Sequence, residues 1–239
     1  MGSSDNRKCD AEEFKVDNPV VRYLIQDGFR YSELNEIAKK QLRSLMVALA
    51  EESRRNCPDP EEKVAFGWKR AITTFACEIF LDAYPAAKTV HLIRDGRDAM
   101  LSRLHSMMSK LDDPINRLFV FGDASISDYH GKPLDQTVIE EYRNEIEMHH
   151  WVTAVRFAMR ARKYRDRYLE VRYEDLCEYP EKTLSRVFEF LDVPFFESAR
   201  TWIKANASVQ SVGKWKGREE ELRDAIRIGE PLLTELGYI

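Results

Sequence analysis

His91-Leu-Ile-Arg94-Asp-Gly-Arg97-Asp98-Ala-Met-Leu-Ser102 is the stretch on which the reading of this chain turns. Lys88–Ile93 (KTVHLI) has the length and β-branched content of a strand, and Gly96–Met108 reads as a helix. In open α/β sheets, anions bind where strands end and the following helices begin. Arg94 leaves the strand's carboxyl end, and Ser102 lies about two helical turns further on. A guanidinium and a hydroxyl beside helix-end amides form a suitable phosphate cradle. The competing reading is that Arg94, Asp95, Arg97 and Asp98 only pair with one another at the junction. On this segment alone, that plainer reading is the stronger.

Working outward, Ser32–Asn56 carries apolar residues at helical spacing, with Ser32 available as a cap, and Cys57-Pro-Asp-Pro ends it. Val64–Trp68 reads as a short strand and Ile72–Ala83 as a helix closed by Tyr84-Pro85. Asp112–Pro133 mixes Gly, Pro, Asp and Ser without a period and reads as a long loop. A long amphipathic helix is expected from Thr137 to about Tyr164, a strand at Tyr168–Arg172 (YLEVR), and a helix at Pro180–Leu191, with further helical segments to Leu236. Strands alternating with helices imply βαβ units and a parallel sheet of at least three strands wrapped by helices.

The 239 residues suit one large α/β domain or two small ones. With a net charge of −4, the whole molecule offers nothing to nucleic acid or an anionic membrane, so any anion site must be built locally. Cys9, Cys57, Cys77 and Cys177 are scattered without a CxxC pair, which argues against zinc. Cys77 and Cys177 sit in apolar stretches and read as buried thiols of a reducing, cytoplasmic setting. No apolar run approaches the ~20 residues that span a bilayer, and no signal peptide is visible.

Two further segments gather chemistry. Tyr168-Leu-Glu-Val-Arg172-Tyr173-Glu174-Asp175 again delivers an aromatic residue and charges to a strand's end. There Tyr173 could meet a nucleotide through its ring or hydroxyl, while Glu174 and Asp175 read as residues of a helix start. Ser211-Val-Gly213-Lys214-Trp215-Lys216-Gly217-Arg218 reads as a mobile basic flap whose glycines let backbone amides approach an anion; a plain solvated loop is an equal alternative. Among the histidines, His91 alternates within its strand and reads as packed, and His105 as lying on the helix face away from the phosphate. His149 and His150 point about 100° apart on a helix and cannot chelate one metal, so no metal site is expected. Trp151 reads as core.

These segments together resemble the sulfotransferase family. Arg94 and Ser102 fall on its 3′-phosphate ligands. Arg172-Tyr-Glu-Asp-Leu with Pro180 and Phe190-Leu191-Asp-Val-Pro194 is similar to its next block, whose tyrosine, matched by Tyr173, binds the nucleotide. Gly213-Lys214-Trp215-Lys216-Gly217 resembles its basic loop near the carboxyl end. Gly67-Trp68-Lys69 resembles the segment of bacterial and tyrosyl-protein-type members whose lysine approaches the transferring group, a role that carries over to Lys69. The chain departs from that pattern at Arg70-Ala71, where an acid and a proline usually follow, and at Gly213, where serine is common.

The resemblance implies a single P-loop-NTPase-like domain over 1–239, a three-layer sandwich with a central parallel sheet flanked by helices. It implies 3′-phosphoadenosine 5′-phosphosulfate as donor, 3′,5′-adenosine bisphosphate as product, a hydroxyl or amine acceptor and no metal. The family's glycine-rich loop for the 5′ end has no counterpart in residues 1–30. The sequence is therefore expected to begin beyond that first strand and loop, or to have lost them; a tag-derived start is a third reading. The resemblance puts the catalytic base shortly after that loop, at Asp10, Glu12 or Glu13.

Overall fold

A computed structural model describes residues 19–55, 66–67, 69, 71–102 and 111–239. The chain divides into two compact units, residues 1–87 and 88–239.

In the first unit, helices α1 (Pro19–Gly28) and α2 (Glu36–Arg55) precede a 3₁₀ turn, Ala71–Ala76, that runs into α3 (Cys77–Ala83). Helix α2 packs on α3, and α1 packs on the turn. The cap of α2 is Asn35, whose Oδ1 accepts the Ala38 amide at 3.0 Å. Ser32, expected to cap it, lies instead in a separate 3₁₀ turn, Tyr31–Glu33; asparagine's shorter reach to the first free amides outcompetes the earlier serine. At Gly28, a Cβ would stand 2.5 Å from the Phe75 carbonyl oxygen. That close approach lets Phe29 and Phe75 stack at 5.1 Å. The expected strand Val64–Trp68 lies mostly outside the described residues; Phe66 and Gly67 are not in a strand.

In the second unit, β1 (Thr89–Ile93) runs into α4 (Gly96–Leu101). Helix α5 (Pro114–Phe121) and a hairpin of β2 (Asp128–Tyr129) and β3 (Lys132–Pro133) follow. Helices α6 (Gln136–Glu141) and α7 (Arg143–Met159) lead to β4 (Tyr168–Arg172). Helices α8 (Tyr173–Glu178), α9 (Pro180–Leu191), α10 (Glu197–Asn206) and α11 (Arg223–Glu235) complete the unit. The unit is mixed α/β, mostly helical, around a small parallel sheet.

Strands β1 and β4 pair in parallel from Thr89↔Tyr168 to Ile93↔Arg172. The sheet of three or more strands expected from the pattern is two-stranded among the described residues. Leu92 is 49% exposed although its partner Val171 is buried, so β4 is covered more fully than β1.

Helix α7 is the hub. It packs against α4, α5, α6 and α11, and buries Ile146, Met148, Trp151, Val155 and Phe157. A helix covered on several sides carries no single apolar stripe. The single helix expected over residues 137–164 is broken at Tyr142 and ends in a 3₁₀ turn. The stretch 112–133, expected as loop, contains α5: Asp113 caps it by accepting the Ile115 amide at 2.9 Å, and Pro114 fills the first turn. An Asp-Pro pair that looks like loop chemistry is here a helix start.

Candidate functional site

Because β1 and β4 are parallel and in register, the residues that follow them emerge side by side. Arg94 follows β1 and Tyr173 follows β4, and the Arg94 guanidinium lies 4.9 Å from the Tyr173 ring centroid. Asp95 caps α4 by accepting the Arg97 amide at 2.9 Å, which starts that helix within two residues of the strand. Gly96 makes this junction possible, since a Cβ there would stand 2.6 Å from the Trp151 ring. Trp151 is buried, as expected of a core residue, and its Nε1–H donates to the Arg94 carbonyl at 3.0 Å. The backbone from which Arg94 projects is thus fixed by α7.

One helix-length on, Ser102 Oγ accepts from Arg94 Nη1 at 2.8 Å and donates to the Asp98 carbonyl at 2.8 Å. Arg94 Nη2 donates to the Ser211 carbonyl. Arg94 Nε is buried and has no hydrogen-bond partner, a donor for which a bound anion would supply the acceptor. Tyr173 hydrogen-bonds the Cys177 thiol; that bond, with burial, raises its hydroxyl above the ordinary value, while the Arg94 charge and Ser211 pull it down. Arg94, Ser102, Tyr173 and the start of the basic loop are therefore brought together.

The loop expected as a mobile flap is fastened. Gly213 N–H donates to Asp98 Oδ2 at 2.6 Å and Trp215 N–H to Oδ1 at 3.3 Å. The Trp215 ring lies 3.7 Å from the Arg97 guanidinium. Gly213 and Gly217 have φ of 77° and 80°, the left-handed region that glycine enters without cost. Lys214 and Lys216 are exposed.

The carboxylates at the junction are structural. Arg97 pairs with Asp95 through Nη2–Oδ2 at 2.7 Å, as the plainer reading of this turn has it. Glu174 accepts the Asp95 amide at 2.9 Å and the Tyr238 hydroxyl at 3.0 Å. The segment Leu236–Tyr238 completes the ring: Arg172 donates to the Leu236 carbonyl at 2.6 Å and Arg97 to the Tyr238 carbonyl at 3.0 Å. Burial, then the nearby Glu174, pushes the Tyr238 hydroxyl well above its ordinary value. Local sequence carries no signal for this clasp, because its partners lie 64 and 141 positions apart.

Lys69 is exposed and belongs to the first unit. Asp10, Glu12, Glu13 and His105 lie outside the described residues. Within the stretch 112–133, Phe119 is core. Tyr129 Oη and His130 Nε2 both meet Glu145 Oε2, at 3.1 and 3.0 Å, and Lys132 pairs with Glu141 at 2.7 Å. Cys77 is buried and Cys177 half-buried, both as free thiols. Among the described residues, no group of three His, Cys, Asp or Glu side chains could hold a metal ion, and no helix is long and apolar enough to cross a membrane.

A strand-end arginine bonded to a serine one helix-length on, with a tyrosine and a basic loop beside it, is the arrangement whose sequence resembles the sulfotransferases. The model of the sulfotransferase family matches residues 6–197, and the chain belongs to that family. No curated protein and no solved structure matches the chain.

Proposed function

We propose that the protein transfers a sulfuryl group from 3′-phosphoadenosine 5′-phosphosulfate to a hydroxyl or amine acceptor. The observation that carries this reading is the Arg94–Ser102 pair at 2.8 Å with the Arg94 Nε left buried and unsatisfied. Two neighbouring donors with one unused N–H fit a dianionic 3′-phosphate. Tyr173 lies against the same guanidinium and would flank the nucleotide, and the fastened loop of Lys214, Trp215, Lys216 and Gly217 would lie along its 3′ side. In the transfer, an acceptor oxygen or nitrogen bonds to sulfur, the bond from sulfur to the 5′-phosphate oxygen breaks, and the acceptor's proton leaves to a base. Asp10 or Glu13 would serve as that base, and Lys69 would stabilise charge on the moving group. Positioning and charge stabilisation dominate chemistry of this kind.

The family match crosses the boundary between the two units, which supports one sulfotransferase domain over residues 1–239. β1 and β4 would then be central strands of a P-loop-like sandwich. The free thiols Cys77 and Cys177 support a cytoplasmic setting.

The alternative is a non-catalytic nucleotide-binding relative that keeps only the 3′-phosphate site. It is favoured by the lack, among the described residues, of a second strand–turn–helix cradle for the 5′ end. Calorimetric titration separates these readings in two steps. Binding of 3′,5′-adenosine bisphosphate but not of adenosine 5′-monophosphate supports the 3′-phosphate site, and equal binding of both refutes it. Sulfuryl transfer to a phenol or amine panel then favours the enzyme, whereas tight binding without turnover favours the module.

A further inference from the structure

The basic loop holds an anion already, and that anion is a side chain. A glycine in the left-handed region followed by inward-pointing amides forms a concavity that binds negative charge. Here the Gly213 and Trp215 amides converge on the two carboxylate oxygens of Asp98, at 2.6 and 3.3 Å. Asp98 is 1% exposed, and the neighbouring Arg97 turns away from it to pair with Asp95. These two amides are therefore taken, and what the loop can offer a ligand is its lysines. A Cβ at Gly213 would stand 3.3 Å from Lys216 Cε and 3.7 Å from its Nζ, so Lys216 lies folded back across the glycine. One turn of α4 beyond Asp98 stands Ser102, whose hydroxyl donates to the Asp98 carbonyl and accepts from Arg94.

We propose that Asp98 is a positioning residue: its carboxylate fills the amide concavity of the basic loop and thereby sets Lys214 and Lys216 toward the Arg94–Ser102 pair. The effect on ligand rests on the 3′-phosphate reading given above; the effect on the loop does not. Both carboxylate oxygens receive N–H donors, so an amide in their place would turn an NH₂ group against one of them. The wild-type geometry accordingly requires the carboxylate itself, not merely a polar group of that size.

The test uses the full chain and its Asp98→Ala and Asp98→Asn variants, with Lys214→Ala/Lys216→Ala in each background. In Asp98→Ala, amide hydrogen exchange at Gly213 and Trp215 is expected to accelerate, and added formate, filling the vacated space, to slow it again. Affinity for 3′,5′-adenosine bisphosphate is expected to fall about tenfold or more in both Asp98 variants, as befits a lost charge-assisted contact set. Formate restores affinity in Asp98→Ala and not in Asp98→Asn, whose side chain occupies the space. Removing the lysines weakens binding in the wild type but adds little in the Asp98 variants.

Unchanged exchange at the two amides overturns the proposal whatever the nucleotide does. So does an affinity loss that formate leaves untouched and that adds in full to the lysine loss, since that pattern marks general destabilisation. Should Asp98→Ala fail to fold, Asp98→Asn carries the exchange and additivity measurements. Wild-type protein that binds 3′,5′-adenosine bisphosphate no better than adenosine 5′-monophosphate refutes the 3′-phosphate reading alone, and the exchange measurement still decides the loop.

Discussion

The guanidinium of Arg94 and the ring of Tyr173 lie 4.9 Å apart because the strands that precede them end opposite one another, at Ile93 and Arg172. Two residues separated by most of a βαβ crossover thus share one point in space, set by strand register. Ser102 then reaches the same guanidinium from the far end of α4.

Replacing Arg94 with alanine removes the guanidinium at that point and leaves Ser102 without its partner. We expect affinity for 3′,5′-adenosine bisphosphate to fall by about 2–3 kcal/mol, the range for a hydrogen bond to a charged group plus an unpaired partner. Ser102→Ala should cost about 1 kcal/mol. Calorimetric titration measures both, and an unchanged Arg94→Ala affinity with an intact fold would sink the assignment.

Gly96→Ala places a methyl 2.6 Å from the Trp151 ring, with backbone on one side and a buried indole on the other. Overpacking of this kind costs about 1–3 kcal/mol, and each kcal/mol lowers the melting temperature by about 2–4 °C in a protein of this size. Thermal unfolding checks the shift. A Gly96→Ala protein as stable as the wild type would show that Trp151 can move.

Stability should decline as the pH drops below neutrality. Burial pushes the His91 imidazole down from 6.5 to about 4, with Arg162 lowering it further against the pull of Glu170. The unfolded chain therefore takes up a proton at a pH where the folded chain does not. The stabilisation is complete above pH 6.5 and is lost as the pH falls toward 4. Between pH 7 and 5 the loss is about 2 kcal/mol. Denaturant titrations of the wild type and His91→Gln at both pH values measure it; an equal pH effect in the two proteins would exonerate His91.

Lys69→Ala should leave nucleotide affinity within about twofold and lower turnover by about 10²-fold or more, the scale for losing one charge-stabilising group. Separating a kcat effect from a binding effect checks this, and a variant with wild-type turnover removes Lys69 from the chemistry.

Sequence reading was strongest where one physical signal acted alone. The apolar, β-branched runs at residues 88–93 and 168–172 became β1 and β4, and Pro180 opened α9 as its first-turn position implied. It failed where two signals competed. Within 112–133, the Asp113-Pro114 pair counts as loop chemistry by composition, although the same pair caps a helix. Ser32 stands at the start of the periodic run and reads as its cap, while the capping side chain is Asn35. At the candidate site, Arg94, Ser102 and Tyr173 were legible as a family pattern, since each sits at a fixed offset from a strand. The loop amides that hold Asp98 and the carbonyls that accept from Arg97 and Arg172 were not, because they lie in segments more than sixty residues downstream.

That last point bears on where the protein can be cut. The family match ends at residue 197, yet the acceptors for Arg97 and Arg172 and the donors for Asp98 all come later, from Gly213, Trp215, Leu236 and Tyr238. A fragment trimmed to the matched stretch would keep Arg94, Ser102 and Tyr173 while stripping Asp98 of its two loop amides and Arg97 and Arg172 of the carbonyls they donate to. Such a piece would contain the recognisable signature and lack the framework that aims it.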